Sequence, residues 1–140
     1  MRAVNYKDSG WRHQLGGYCP FGVDVYFDNV GGRVSDAVLP LMKAKGRVVV
    51  CGQISAYDRA IPARVPSLGI VLEKQLRVEG FLVSDFQALF PRAFHDLTMC
   101  WRGGLLRARE TVSHGIERAP EAFVSMLHGG NIGKQLVKVD

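Results

Sequence analysis

"VYFDNVGG", residues 25–32, is the stretch whose reading decides the fold. An apolar run of valines and aromatics stops at Asp28-Asn29 and meets two glycines. A strand therefore enters a tight turn, since Asn and Gly both tolerate positive φ. Asn29 can serve that turn by bonding its own backbone, or it can offer an amide donor and a carbonyl acceptor to a ligand. Extended to "GVDVYFDNV", residues 22–30, the run is nearly continuous in apolar residues, as in a parallel strand buried on both faces.

A helical period follows. Val34, Val38, Leu41 and Met42 recur at i, i+4, i+7 and i+8, with Ser35 and Asp36 near the start, Gly46 past the end and Pro40 shortening or kinking the helix. "GRVVVCG", 46–52, is the next strand, and the Pro, Ser and Asp content of "QISAYDRAIPARVPS", 53–67, marks a loop. "SLGIVLEKQ" reads as a short helix despite Gly69, and "LRVEGFLV", 76–83, as a strand. Upstream, "RAVNY", 2–6, reads as a short strand. Toward the C-terminus, Phe90, Phe94, Leu97 and Trp101 mark a helix opened by Pro91, and "RETVSH" a strand. Ala119, Ala122, Phe123, Met126 and Leu127 line a last helix opened by Pro120, and "HGGNIGKQLVKV" turns through glycines into a final strand. Strands alternating with helices predict an α/β fold with a mainly parallel sheet, whose ligands sit at the carboxyl ends of the strands. Those ends are the turns after "VYFDN", "VVVCG" and "VEGFLV".

Composition narrows the function classes. With 140 residues, 47% hydrophobic and 22% charged, the chain can build one core, and no internal repeat or low-complexity segment interrupts it. No run of 18 apolar residues and no apolar N-terminal leader is present, so the expectation is a soluble, cytoplasmic protein without a membrane partner. Cys19, Cys51 and Cys100 are too few and too widely spaced for a disulfide framework or a structural zinc site. The net charge of +5 is scattered without interleaved aromatics, which argues against nucleic acid and leaves an anionic ligand, such as a phosphorylated cofactor, as a use for it.

Several chemistries fail on spacing. Tyr57 lacks a lysine four residues on, where Ile61 stands, so the Tyr-x-x-x-Lys device is excluded. His13, His95, His114 and His128 stand far apart without a metal motif, and Ser55 lacks a G-x-S-x-G elbow. Among 16 glycines no G-x-G-x-x-G occurs. Either the domain binds no dinucleotide, or its first βα unit lies outside this chain.

In order along nearly the whole chain, "NYK", "CPFGVDVYFDNVGG", "SDAVLPLM", "GRVVVCGQISAYD", "LRVEGFLV" and "PEAFVSMLHGGNIGKQLVKV" resemble the C-terminal part of the NADP-dependent prostaglandin reductases. These are zinc-independent medium-chain dehydrogenases/reductases that include leukotriene 12-hydroxydehydrogenase and the alkenal/one oxidoreductases, and the likeness is nearest to the 15-oxoprostaglandin 13-reductase type. The resemblance implies a partial Rossmann-like domain. In the family a GroES-like domain and the opening βαβ unit with its phosphate loop come before it, so the likeness also implies a truncated or partial gene product. It further implies that the last two strands join the GroES-like domain, which would leave a sheet face open to homo-oligomer formation.

The resemblance also implies site residues. Tyr6 matches a tyrosine near the adenosine 2′-phosphate, and Asn29 an asparagine that contacts NADP. Cys51, Gly52, Gln53, Ile54, Ser55, Ala56 and Tyr57 match the loop along the cofactor, with Tyr57 also reaching the substrate carbonyl as the catalytic hydrogen-bond donor. Phe81, Leu82 and Val83 match the strand end beside the nicotinamide, and Asn131 a further cofactor contact. The implied reaction is hydride transfer from NADPH to the β-carbon of an α,β-unsaturated ketone such as a 15-oxoprostaglandin, without zinc. The alternative is a non-catalytic folded fragment or self-associating module that lacks the phosphate loop.

Overall fold

The computed structural model describes residues 2–56 and 68–139, in two compact units, Met1–Asp85 and Phe86–Asp140. The first unit runs α1 (Trp11–Tyr18), β1 (Val23–Asp28), α2 (Gly32–Val38), β2 (Met42–Val50), α3 (Leu68–Glu73) and β3 (Arg77–Gly80). Its strands form one parallel sheet in the order β1-β2-β3. Parallel strands need crossovers, so the carboxyl ends of all three gather on one edge. Val38, Leu39, Met42, Val48 and Leu76 form the buried core, with Tyr26, Val34, Ile70 and Val71 packed around them. The second unit holds α4 (Phe90–Arg102), β4 (Glu110–His114), α5 (Ala119–Leu127) and β5 (Lys134–Lys138). There β4 pairs parallel with β5. The α/β class and parallel pairing match the sequence reading, and Pro91 and Pro120 each sit in the first turn of a helix.

Four details differ from expectation. "RAVNY" is not a strand: the Asn5 side chain accepts from the Lys7 N–H and donates to Asp8, closing a local turn that competes with extension. Helix α1 was not among the expected elements, although Trp11, Leu15 and Tyr18 recur at i, i+4 and i+7 and Trp11 is buried. The α2 helix ends at Val38, because Pro40 cannot donate and turns residues Leu39–Leu41 into a 3-10 segment. Leu41 and Met42 therefore leave the helix, and Met42 opens β2 earlier than "GRVVVCG" suggested. Finally, Cys51 and Gly52 lie past the end of β2, and Phe81, Leu82 and Val83 past the end of β3.

Lys74 secures the junction between α2 and β2. Its ammonium donates to the carbonyls of Pro40 (2.8 Å), in the 3-10 segment, and Met42 (2.7 Å), the first residue of β2. Between Met42, opposite Val23, and Arg47, opposite Val25, the ladder is interrupted by a bulge in which Lys45 takes φ 62. Met42 is 1% exposed, so Met42→Ala should leave a cavity and lower stability by about 2–5 kcal/mol, read from urea unfolding followed by circular dichroism. A loss under ~1 kcal/mol would show that the site collapses and that Met42 is not central to the core.

Candidate functional site at the carboxyl ends of the parallel strands

β1 ends on Asp28, which is 5% exposed. One carboxylate oxygen accepts the N–H groups of Val30 (3.0 Å) and Gly31 (2.8 Å), and the other accepts the Ser35 hydroxyl. Because Ser35 donates to Asp28, the Tyr26 hydroxyl donates to Ser35 in turn, at 3.2 Å. Burial pushes the Asp28 carboxyl up, but the bonds from Ser35, Gly31 and Val30 outweigh it and hold the group below its ordinary value. Burial pushes Tyr26 up to about 12, against the pull of its Ser35 bond and with help from Asp28, so the phenol stays a donor. Gly31 takes φ 71 and ψ −164, a conformation open essentially to glycine alone, and so lets the turn fold back on the carboxylate.

The Asp28 backbone ties two strand ends together. Its carbonyl accepts from the N–H of Cys51 (2.7 Å) and of Gly52 (3.2 Å), Val30 O accepts from Ser55 N–H (3.0 Å), and Val50 O accepts from Phe81 N–H (3.2 Å). A Cβ at Gly52 would meet the Asn29 side-chain oxygen at 2.8 Å, so the amide of Asn29 lies directly across this glycine. Beside it opens a cleft of about 490 Å³ lined by Val50, Cys51, Gly52, Gln53, Gly80, Phe81, Leu82 and Asp85. The Phe81 ring packs tilted against Phe27 at 6.1 Å.

The structure thus gathers Asn29, Cys51, Gly52, Gln53, Phe81 and Leu82 at one edge of the first unit. Ile54, Ser55 and Ala56 form the 3-10 turn that continues from Gln53, and Val83 is exposed outside the cleft lining. Tyr6 is not among the lining residues: its carbonyl accepts from Arg33, whose guanidinium stands over the Tyr6 ring at 5.7 Å and the Trp11 ring at 5.9 Å. Asn131 belongs to the second unit, where its amide donates to Gly133 O at 2.7 Å. Tyr57 lies outside the described residues. Sequence reasoning passed over Tyr26, Asp28 and Ser35 as a linked set. Their spacing, an acid at a strand end seven residues before a helical serine, was the available signal.

Residues 1–98 match the family described as zinc-binding dehydrogenase. The chain belongs to the zinc-binding dehydrogenase family. The 2-alkenal reductase (NADP(+)-dependent) of Nicotiana tabacum is 43% identical over 138 residues, 98% of this chain and 40% of that protein. Prostaglandin reductase 1 of Rattus norvegicus is 41% identical over 139 residues, 97% of this chain and 42% of its own length. Among solved structures, CurA from Vibrio vulnificus in complex with NADPH superposes with a TM-score of 0.86 at 33% identity, covering 98% of this chain and 42% of CurA. The resemblance read from the sequence is borne out by these relatives, of whose length this zinc-binding dehydrogenase chain spans about two fifths. Among the described residues no three His, Cys, Asp or Glu side chains stand together as metal ligands, so those residues do not fit a zinc ion.

Asp28 yields a pH test. Its carboxyl is depressed in the folded chain, so the stability it contributes is present above the unfolded value of about 3.9 and is lost as pH falls through the folded value below that. Asp28→Asn should cost about 1.5–3 kcal/mol at pH 7, the worth of hydrogen bonds to a charged group, and should remove this part of the acid-side loss. Urea midpoints measured between pH 7 and pH 3 check both; equal stability of variant and wild type at pH 7 would contradict the bonding described.

Proposed function

We propose that the chain forms the later part of an NADP-binding Rossmann-like domain, and that the protein it belongs to reduces the carbon–carbon double bond of α,β-unsaturated carbonyl compounds with NADPH. One observation carries the reading: the cleft lies where parallel α/β sheets bind ligands, with Gly52 in its wall and the Asn29 amide packed against that glycine. Relatives named for 2-alkenal and prostaglandin reduction, and a structural neighbour solved with NADPH, support the same chemistry.

NADPH, when bound, supplies the hydride. Asn29 holds the cofactor through its amide, and Gly52, whose missing side chain makes room for that amide, sets where it stands. Phe81 and Leu82 give the cleft an apolar wall. Tyr57 is assigned as the donor to the enone oxygen, where negative charge builds as the β-carbon is reduced. These residues address the enone itself, and a 15-oxoprostaglandin is one molecule that carries it. Phe94 (66% exposed), Trp101 (61%) and Leu105 (83%) favour a second reading, in which the chain works as a self-associating module. Light scattering tests it: growth in mass with concentration supports association, and a monomer at high concentration opposes it.

Two substitutions separate the assigned roles. Asn29→Ala should weaken NADPH binding about tenfold, ~1.4 kcal/mol, in a fluorescence titration. Tyr57→Phe in the full-length protein should leave that affinity within about twofold but lower kcat/KM for an enone by roughly ten- to a hundredfold, the effect of losing one donor aimed at the transition state. Unchanged enone reduction in Tyr57→Phe would remove its assignment, and unchanged binding in Asn29→Ala would remove the cofactor assignment.

A further inference from the structure

We propose that Asp85 sets the charge class of the substrate, so that the cleft takes enones and alkenals without a carboxylate in preference to enones that carry one. The inference rests on the cleft being the site of enone reduction. Among the described residues that line it, Asp85 alone is charged; the others are apolar side chains, glycine backbone, the Cys51 thiol and the Gln53 amide. No lysine, arginine or histidine faces the cleft from this set, although the chain carries a net charge of +5. The Asp85 N–H donates to Leu82 O at 3.0 Å, which holds the residue at the cleft wall. Its exposed carboxylate has no hydrogen bond or ion pair among the described residues.

A substrate carboxylate entering here meets a like charge, and among the described lining residues it meets no cation to offset it. At separations of about 6–8 Å, in surroundings between bulk water and a protein surface, the repulsion alone amounts to roughly a three- to tenfold penalty, and it weakens as salt screens it. An uncharged enone of the same shape escapes this penalty.

The test uses benzylideneacetone and its para-carboxylate, which share one enone and differ in charge, reduced by the full-length protein with saturating NADPH. The wild type should prefer the neutral enone by about three- to tenfold in kcat/KM, with the preference narrowing at high salt. Asp85→Asn should bring the ratio near one and remove its salt dependence, and Asp85→Lys should invert it. Asp85 is exposed, so both variants should keep the wild-type urea midpoint, within about 0.5 kcal/mol in stability, which is the control for folding. If the neutral enone is reduced but the ratio is the same in wild type and both variants, the role of Asp85 is overturned and the enone reading stands. If the wild type reduces neither compound, the enone reading falls and this inference with it.

Discussion

A buried carboxylate needs donors, and at Asp28 that need organises the edge of the sheet. An ionised group with 5% exposure would be costly without compensation, and three donors supply it: the N–H groups of Val30 and Gly31 and the hydroxyl of Ser35. Two of them fold the turn back on its own strand, and the third fixes the first turns of α2 against that strand. Tyr26 closes the set by giving its proton to Ser35, and no buried side-chain polar atom among the described residues lacks a partner. Since the Asp28 carbonyl also receives the N–H groups of Cys51 and Gly52, the same residue sets where β2 releases its chain. Asn29 lies across Gly52 because both neighbours are held by Asp28.

Elements were legible in the sequence where the local signal and the tertiary environment agree. The strands at β1 and β2 and the proline-opened helices α4 and α5 formed where read, but β1 is not buried on both faces: Val25 (47%) and Phe27 (59%) are exposed, because among the described residues no element covers that side of the sheet. "RAVNY" failed because a strand needs a partner: no strand of the described residues pairs with it, and Asn5 offers its backbone a local turn instead. The helical period through Met42 failed for another reason. Pro40 ended the helix, and burial of Met42 at the start of β2 then absorbed the apolar residue that had fitted the helix pattern.

The site was legible in the same uneven way. Asn29, Cys51, Gly52, Gln53, Phe81 and Leu82 follow strands that pair in parallel, so topology alone brings them together. Tyr6 and Asn131 came from likeness to relatives, and within this chain Tyr6 is engaged with Arg33 while Asn131 closes a turn of the second unit. Asp85 was passed over because an acid past a strand end is ordinary as sequence. Its meaning appears only when the cleft beside it proves to have no cation among its described lining residues.

The central claim, that the edge organised by Asp28 is where NADPH binds, is tested most directly by hydrogen–deuterium exchange of the chain with and without NADPH. The account predicts slower exchange on binding at residues 29–32, 51–56 and 80–83, with little change along β4 and β5. Protection confined to the second unit, or none at the three strand ends at saturating NADPH, would contradict it.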